Sequence, residues 1–424
     1  MHDLRMVREH IDALRAGMRR RGALDVLSPT IERAVELDKT RRETIQAVEE
    51  RKAARNAVSQ QVGQRKRAGE SADDLQQQSR ALGDEIARLD RELAETEGQL
   101  SAILLELPNV TLDQVPAGGE ENNSVVRTWG TPREGGRVQP HWEAGARLGV
   151  IDFERGAKIS GSGFIVFRGL GARLVRSLMN LMLDVHTREH GYEEIWVPVV
   201  VNRASMTGTA QLPKFEEDMY ALKDGDQFLI PTAEVPLTNL YRDETLAESE
   251  LPKSLTGYSS CFRREAGAAG KDTRGLLRVH EFDKVELVRY TTPESSGEQL
   301  ELLTAHAEKI LQLLELPYRV VRLASGDTGF ASAHTYDLES YAPGVGKWLE
   351  VSSCSNFTDF QARRANIRYK PAEGGKPRFV HTLNGSGLAF PRIIAALLEH
   401  HQQEDGSVRI PSALSKYLGA ERLS

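Results

Sequence analysis

The stretch Cys261-Phe262-Arg263-Arg264-Glu265 is followed, after a basic loop rich in glycine, by Arg278-Val279-His280-Glu281-Phe282-Asp283-Lys284-Val285-Glu286. Both ends have the composition of strands, so the stretch predicts two neighbouring strands joined by a polar loop. A guanidinium such as that of Arg263 recognises phosphate oxygens, the ring of Phe282 can stack on a flat base, and Glu286 can accept hydrogen bonds from an amine or hydroxyl. The stretch therefore predicts adjoining sites for a nucleotide and a smaller polar substrate.

The composition of the 424-residue chain is ordinary for a globular protein with two or three domains. Its net charge of −6 does not by itself indicate nucleic-acid binding. The two cysteines, Cys261 and Cys354, lack the spacing of a zinc or disulfide framework, which favours a reducing compartment. No signal peptide is evident, and no run approaches the roughly 18 apolar residues of a membrane span. We expect a cytoplasmic protein without a membrane partner.

Residues 28–107 predict a long antiparallel helical hairpin. From Leu75 to Leu107, mostly apolar residues recur in steps of four and three, which is a heptad seam sustained over more than four heptads. A weaker seam runs between Ile31 and Val62, and a polar segment separates the two. Each helix is expected to contain about 35 residues and to reach roughly 50 Å at 1.5 Å per residue.

The two predicted helices carry opposite charge. Residues 39–67 contain nine basic and three acidic side chains, and residues 73–107 contain nine acidic and three basic ones, so the local charges are +6 and −6. One interpretation is charge pairing across a solvated hairpin, since charge runs usually mark solvated faces. The other is a protruding arm whose basic edge binds a nucleic-acid backbone. Composition alone leaves both open.

The rest of the chain has a different composition. Pro108 ends the helical region, and residues 109–145 are rich in Gly, Pro, Asn and charge, so we expect a linker there. Residues 146–424 mix predicted strands (195–201, 227–230, 285–290, 318–323 and 347–351) with predicted helices (172–190, 297–314 and 387–401). Polar and apolar residues alternate in the strands, which favours an antiparallel sheet with one packed and one open face. The predicted class is α+β.

Two shorter segments are ambiguous when each is taken alone. Thr232-Ala233-Glu234 opens a predicted helix, so Thr232 is either a helix N-cap or a ligand contact. Asn384-Gly385-Ser386-Gly387 precedes a helix that carries Arg392, and is either a capped turn or a phosphate site. The chain has no GxGxxG after a strand, and segment 267–272 lacks the first glycine and the hydroxyl of a P-loop.

Together these segments resemble the class II aminoacyl-tRNA synthetases. Residues 191–198 resemble motif 1, Phe262–Glu265 with Phe282 resemble motif 2, and Gly387–Ala389 with Arg392 resemble motif 3. The N-terminal hairpin and the segments 232–234, 282–286, 350–353 and 384–387 are similar to the bacterial seryl-tRNA synthetases in particular. The resemblance covers essentially the whole chain. It implies a tRNA-binding N-terminal domain over 1–108 and, over 146–424, a class II catalytic domain built on an antiparallel sheet flanked by helices.

The resemblance also implies the reaction and its participants. L-Serine and ATP would form seryl-adenylate, and the acyl group would pass to tRNA(Ser), with charging of tRNA(Sec) left open. Mg²⁺ would be the cofactor, and motif 1 would join two copies as a homodimer. The basic helix would grip tRNA through Lys39, Arg41, Arg42, Arg51, Lys52 and Arg55. The loop residues Lys271, Arg274 and Arg278 would meet ATP first and the tRNA acceptor end afterwards.

The implied site residues fall into overlapping groups. The catalytic residues would be Arg263, Glu350 and Arg392. Serine would be bound by Thr232, Ala233, Glu234, Arg263, Glu286, Asn384 and Ser386. ATP would be bound by Arg263, Arg264, Glu265, Val279, Phe282, Glu350, Val351, Ser352, Ser353 and Arg392. Within that group, Glu350 and Ser353 would hold the metal ion.

Two other functions are compatible with parts of the sequence. A ligase that loads amino acids onto carrier proteins would share the catalytic scaffold, but such relatives typically lack the long arm. A non-catalytic RNA-binding or coiled-coil protein would be favoured by loss of Arg263, Glu350 or Arg392, and all three are present. The sequence therefore favours the synthetase reaction.

Overall fold

The computed structural model describes residues 1–133, 138–266 and 274–424. It divides into two compact units, Met1–Pro108 and Asn109–Ser424. The first unit is helical and contains α1 (Leu4–Arg8), α2 (Ile11–Arg20), α3 (Leu24–Arg67) and α4 (Asp73–Glu106). Within the described ranges, no helix combines the length and the apolar character that a bilayer crossing requires.

Helices α3 and α4 form the predicted antiparallel hairpin. The heptad positions Leu75, Ile86, Leu89 and Leu100 are buried, as the seam requires. Helix α3 has 44 residues and α4 has 34, so α3 is about 66 Å long at 1.5 Å per residue and exceeds the expected length. Ser28 and Pro29 are typical of a helix start, but α3 begins four residues upstream of Ser28 at Leu24.

The second unit mixes helices and strands. Its helices are α5 (His141–Arg147), α6 (Phe153–Ser160), α7 (Leu170–Arg188), α8 (Arg203–Gly208), α9 (Glu234–Asn239), α10 (Ser296–Leu313), α11 (Phe360–Ala365), α12 (Phe390–His400) and α13 (Ser412–Leu418). Its strands are β1 (Ser124–Trp129), β2 (Ile151–Asp152), β3 (Val166–Phe167), β4 (Glu193–Glu194), β5 (Val200–Asn202), β6 (Gln227–Leu229), β7 (Thr245–Ala247), β8 (Lys253–Phe262), β9 (Glu281–Thr291), β10 (Tyr318–Arg322), β11 (His334–Ala342), β12 (Lys347–Asn356), β13 (Arg368–Lys370), β14 (Arg378–Phe379), β15 (His381–Ala389), β16 (Val408–Arg409) and β17 (Arg422–Leu423).

An eight-stranded sheet in the order β1-β10-β11-β12-β15-β9-β8-β4 organises this unit. Every neighbouring pair is antiparallel except β4 and β8, which are parallel. On β9, Val285 and Leu287 pack into the large core that α7, α10 and α12 also build. Since side chains alternate across a strand, Phe282, Lys284 and Glu286 lie on the opposite face. The predicted α+β class and the open sheet face are confirmed.

Three local expectations differ from the structure. Of the predicted strand 195–201, only the last two residues are in a strand, β5, and β4 lies just upstream of it. Residues 387–389 continue β15, so α12 begins only at Phe390. The segment 109–145, expected as a linker, contributes β1 and the start of α5 to the second unit. Strand β1 lies at one end of the large sheet and is half-buried to exposed, although its sequence contains the β-branched and aromatic residues that favour strands.

Candidate active site

A cavity of about 660 Å³ opens on the exposed face of the large sheet. It brings together predicted residues from separate segments of the chain. Those that line it are Thr232, Glu234, Arg263, Glu265, Val279, Phe282, Glu350, Val351, Ser352, Ser353, Asn384, Ser386 and Arg392. Three predicted residues do not line it: Ala233 and Glu286 are buried, and Arg264 is exposed.

Two linked carboxylates mark one end of the cavity: Glu234 lines it, and Glu286 is buried next to it. Asn384, on β15, donates its side-chain amide to Oε2 of Glu234 and to Oε1 of Glu286, each at 3.0 Å. Gln361 donates to the other oxygen of Glu234 at 2.7 Å. The two acids come from α9 and β9, so Asn384 fixes elements that are distant in sequence. This end of the cavity is suited to a small ligand that carries hydrogen-bond donors and a positive charge.

Lys284 distinguishes the two acids. Its ammonium forms an ion pair with Glu286 and donates to the hydroxyl of Thr232 at 2.7 Å. That hydroxyl in turn donates to Oε2 of Glu286 at 3.2 Å. Among the described residues, hydrogen bonds to the carboxylate of Glu234 come from side-chain amides and no ion pair is formed with it. Glu286 thus has its own cation, whereas Glu234 has none.

The environment of Glu234 changes its acidity. Complete burial, with the nearby Glu286 carboxylate adding to the effect, raises the pKa of Glu234 from 4.5 to about 7. Loss of water disfavours the charged form of an acid, and a neighbouring negative charge acts in the same direction. A bound cation would reverse both effects. The electrostatics therefore favour an ammonium group beside Glu234.

The other end of the cavity presents cations and an aromatic ring. Arg263 is exposed, and its guanidinium lies 5.0 Å from the centre of the Phe282 ring. Arg392, at the start of α12, donates to the carbonyl oxygens of Glu350 at 2.7 Å and of Leu277 at 3.2 Å. Its guanidinium is also 3.3 Å from the Glu350 carboxylate. This arrangement provides charge for phosphates next to a flat surface for a base.

The loop after β8 is partly described. Glu265 has a φ of 51°, in the left-handed region that is uncommon for residues other than glycine, and forms an ion pair with Arg278 across the base of the loop. Arg274 lies 4.6 Å above the Trp142 ring. Lys271, the third basic residue expected to meet ATP, lies outside the described residues. The main-chain amide of Arg264 donates to the carbonyl of Asp218 at 2.9 Å.

The donor set near Glu350 fits a hard divalent cation. Glu350 and Ser353 both line the cavity and supply oxygen ligands. Asp337 faces Ser353 across the β11–β12 pair, and its Oδ1 is buried without a hydrogen-bond partner. Burial, with Glu350 adding to it, raises the pKa of Asp337 well above its usual range. No group of three His, Cys, Asp or Glu in the described ranges could hold a metal ion by itself.

The predicted basic residues of the arm are mainly paired with acids. Arg41, Arg51 and Lys52 of α3 pair with Glu97, Glu85 and Asp90 of α4 at 2.8, 2.9 and 3.7 Å. Within α3, Lys39 lies 3.9 Å from Glu43, and Arg42 lies 3.1 Å from the buried Asp38. Arg55 is exposed. Charge pairing across the hairpin is therefore present, and most of these side chains remain accessible on its surface.

Sequence reasoning missed two residues of the site. Lys284 lies in the same strand and on the same face as Phe282 and Glu286, and the period of two could have identified it. Gln361, on α11, bonds Glu234 and Thr382. No local pattern marks Gln361, because its role depends on a contact with a residue more than a hundred positions away.

The comparisons with known proteins agree with this geometry. A family model described as the seryl-tRNA synthetase N-terminal domain matches residues 1–111. A second, the tRNA synthetase class II core domain (G, H, P, S and T), matches residues 216–401. The serine–tRNA ligase of Gemmatimonas aurantiaca is 66% identical over 99% of both chains.

Solved structures give the same result. The seryl-tRNA synthetase of Pyrococcus horikoshii complexed with ATP is 37% identical, with a TM-score of 0.95 over 100% of this chain and 99% of that one. The cytoplasmic enzyme of Naegleria fowleri in complex with AMP is 29% identical, with a TM-score of 0.89 over 100% and 99% of the two chains. Neither alternative function is favoured, since these matches include the arm as well as the cavity. The chain belongs to the serine–tRNA ligases, the seryl-tRNA synthetases of class II.

Proposed function

We propose that L-serine and ATP react in the cavity to give seryl-adenylate and pyrophosphate, and that the acyl group then passes to the 3′-terminal ribose of tRNA(Ser). One observation carries this assignment to the cavity. Glu234 and Asn384 line the same cavity as Arg263 and Phe282, and Asn384 bridges Glu234 to the buried Glu286. A pocket for a small hydroxy amine thus adjoins one for a phosphate and a base.

In this proposal the two acids have different tasks. Glu234 lines the cavity without a cation of its own and binds the ammonium of serine. Glu286, held by Lys284 and Thr232, recognises the hydroxyl together with Ser386. A site built to bond a hydroxyl rejects alanine, because its buried polar groups would be left unpaired. Ala233 is buried behind the pocket and shapes it.

The nucleotide takes the other end. Phe282 stacks on adenine, and the main chain near Glu265 and Val279 reads the edge of the base. Arg263 contacts the α-phosphate and stabilises the charge that grows as a serine carboxylate oxygen attacks phosphorus. Arg392 holds the γ-phosphate. The carboxylate of serine is already a nucleophile, so no general base is needed, and catalysis rests on position and electrostatics. Arg264 has only a peripheral place in this scheme.

We assign Mg²⁺ to Glu350 and Ser353. The partnerless, buried Oδ1 of Asp337 beside Ser353 supports a cation there. When bound, Mg²⁺ would neutralise phosphate charge and fix the phosphate chain. The guanidinium of Arg392 lies 3.3 Å from the Glu350 carboxylate. Its release from Glu350 would free both a metal ligand and a cation for phosphate.

The arm provides the proposed tRNA contact. Lys39, Arg41, Arg42, Arg51, Lys52 and Arg55 offer a basic edge to the phosphates of tRNA(Ser), and of tRNA(Sec) in an organism that has it. Such binding weakens steeply as salt rises, because counterions are released on contact.

We also propose a homodimer in a reducing cytoplasm. Strand β4 ends the large sheet, and beside it Trp196 is 78% exposed and Val199 is 37% exposed. An open sheet edge next to an exposed aromatic side chain is suited to a second copy of the chain. The two cysteines are buried as free thiols, which is compatible with a reducing compartment.

ATP–pyrophosphate exchange across a panel of amino acids tests the assignment. We expect exchange with serine, and at most weak exchange with alanine, threonine and glycine. The variant Arg263→Ala should lose exchange, whereas Arg188→Ala, at the end of α7 and outside the cavity, should retain it. Exchange with another amino acid in preference to serine, or full activity without Arg263, would contradict the assignment.

A further inference from the structure

The proposed chemistry gives no role to a fully buried pair of titratable residues. His141, the first residue of α5, and Glu399, near the end of α12, are both 0% exposed. The Nδ1 of His141 lies 2.7 Å from Oε1 of Glu399. The same carboxylate accepts the backbone N–H groups of His141 at 2.9 Å, Gly344 at 2.8 Å and Val345 at 3.1 Å. Four donors surround one acid, so its oxygens are fully bonded.

The other nitrogen of His141 points toward the cavity wall. The backbone N–H of Leu276 donates to Nε2 of His141 at 2.9 Å. An amide N–H can only donate, so Nε2 carries the lone pair and the ring proton is on Nδ1, where Glu399 accepts it. The carboxylate thereby fixes the tautomer that can receive Leu276. Carboxylates orient metal-binding histidines in the same way. Here the ligand of the oriented histidine is a backbone amide instead of a metal ion.

Leu276 begins the stretch that walls the nucleotide end of the cavity. Residues 276–279 all line it, and the carbonyl of Leu277 accepts from Nε of Arg392 at 3.2 Å. The two-residue segment Leu276–Leu277 therefore joins His141 to Arg392. Gly275 permits this approach: it has a φ of 69°, and a Cβ there would lie 2.3 Å from Nε2 of His141.

We propose that His141 and Glu399 are positioning residues for ATP. Together they hold the amide of Leu276, so that the carbonyl of Leu277 aims Arg392 at the phosphate chain. The inference rests on the proposed ATP site. It assigns to α5 and α12 a task beyond packing, because two residues of α12 meet the same short segment: Glu399 reaches Leu276 through His141, and Arg392 bonds Leu277 directly.

Two substitutions at one position separate this role from packing. In His141→Gln, the side-chain oxygen can take the place of Nε2 and accept from Leu276. In His141→Asn, the shorter amide can replace Nδ1 and donate to Glu399, but leaves Leu276 unpaired. We expect the KM for ATP in serine-dependent exchange to rise about tenfold in His141→Asn, as loss of one buried hydrogen bond implies. In His141→Gln we expect it to stay within about threefold of the parent, while the KM for serine is unchanged in both.

A second variant covers the case in which His141→Asn fails to fold. Gly275→Ala places a methyl group against Nε2 from the surface loop and should raise the KM for ATP in the same way. Gly297→Ala, with open space around its Cβ, is the control. An unchanged KM for ATP in Gly275→Ala would overturn the inference. So would equal KM values for ATP in His141→Asn and His141→Gln, with a lower Tm as the only effect of the substitutions. Absence of exchange in the parent chain would instead refute the proposed function.

Discussion

Serine binding should depend on pH through Glu234. The pKa of this acid is raised from 4.5 to about 7 by burial and by Glu286, and only the ionised form attracts the substrate ammonium. Below pH 7 the ionised fraction of Glu234 falls about tenfold per pH unit. The apparent dissociation constant for serine equals the intrinsic constant divided by that fraction, so it rises by the same factor. The KM for serine should therefore rise about tenfold at pH 6 and about thirtyfold at pH 5.5, relative to its plateau near pH 8.

Serine binding weakens as the pH falls because the pKa of Glu234 is raised. A carboxyl with a raised pKa keeps its proton over a range in which an ordinary one has lost it. That proton must leave before an ammonium can pair with the acid, so serine binding releases a proton between pH 5.5 and 7. ATP, held at saturation, does not contact Glu234 in the proposed arrangement. The KM for ATP should consequently lack this slope.

Steady-state exchange at several pH values measures the effect. In Glu234→Gln the KM for serine should lie about one to two orders of magnitude above the plateau value of the parent, as for a lost charged hydrogen bond, and its pH slope should disappear. Asp283→Asn is the matched control, since Asp283 lies on the same strand as Glu286, bonds Tyr258 and Ser260 and does not line the cavity. A flat profile in the parent chain, or a slope that survives in Glu234→Gln, would refute the reasoning.

Three further outcomes are expected. Glu286→Ala leaves Lys284 buried without its partner, a change that costs about 3–5 kcal/mol in comparable pairs. Serine-dependent exchange should be lost, and near-normal exchange would remove Glu286 from the pocket. Deletion of residues 30–105 should spare adenylate formation and abolish charging of tRNA(Ser). Retained charging would show that the arm is not needed for tRNA binding. Trp196→Asp should convert dimers to monomers, as measured by sedimentation. An unchanged mass would show that the dimer interface does not involve Trp196.

Strand patterns predicted the sheet, but not its edges. Strands β8 and β9 are mostly buried, and their β-branched and aromatic residues reflect that burial. Strand β1 has β-branched and aromatic residues too, but it is short and lies within a segment rich in Gly, Pro, Asn and charge, so the segment as a whole resembles a linker. The strand predicted over 195–201 is largely absent, because Trp196 and Pro198 lie beside an edge that the chain itself does not cover.

The site was predictable only where chemistry and chain order coincide. Arg263 directly follows β8, and Phe282 and Glu286 lie on its partner strand β9, so elementary rules place them together. Thr232, Glu350 and Asn384 were assigned through the family resemblance, since no local rule brings those segments to one cavity. Gln361 was predicted neither by local rules nor by the family resemblance. The contact of His141 with Glu399 joins residues 258 positions apart, and neither residue has a motif around it.

The arm shows how one set of charges can serve both interpretations of the sequence. Arg41 pairs with Glu97, and Lys52 with Asp90, in register along the two helices, so opposite charge does stabilise the hairpin pairing. The acids in these pairs are about half exposed, however, and water screens such pairs so strongly that each contributes little to stability. Replacing the acid by a phosphate therefore costs little free energy. In the proposed function, charge pairing within the arm and phosphate binding by the same cations are therefore alternative states of one surface.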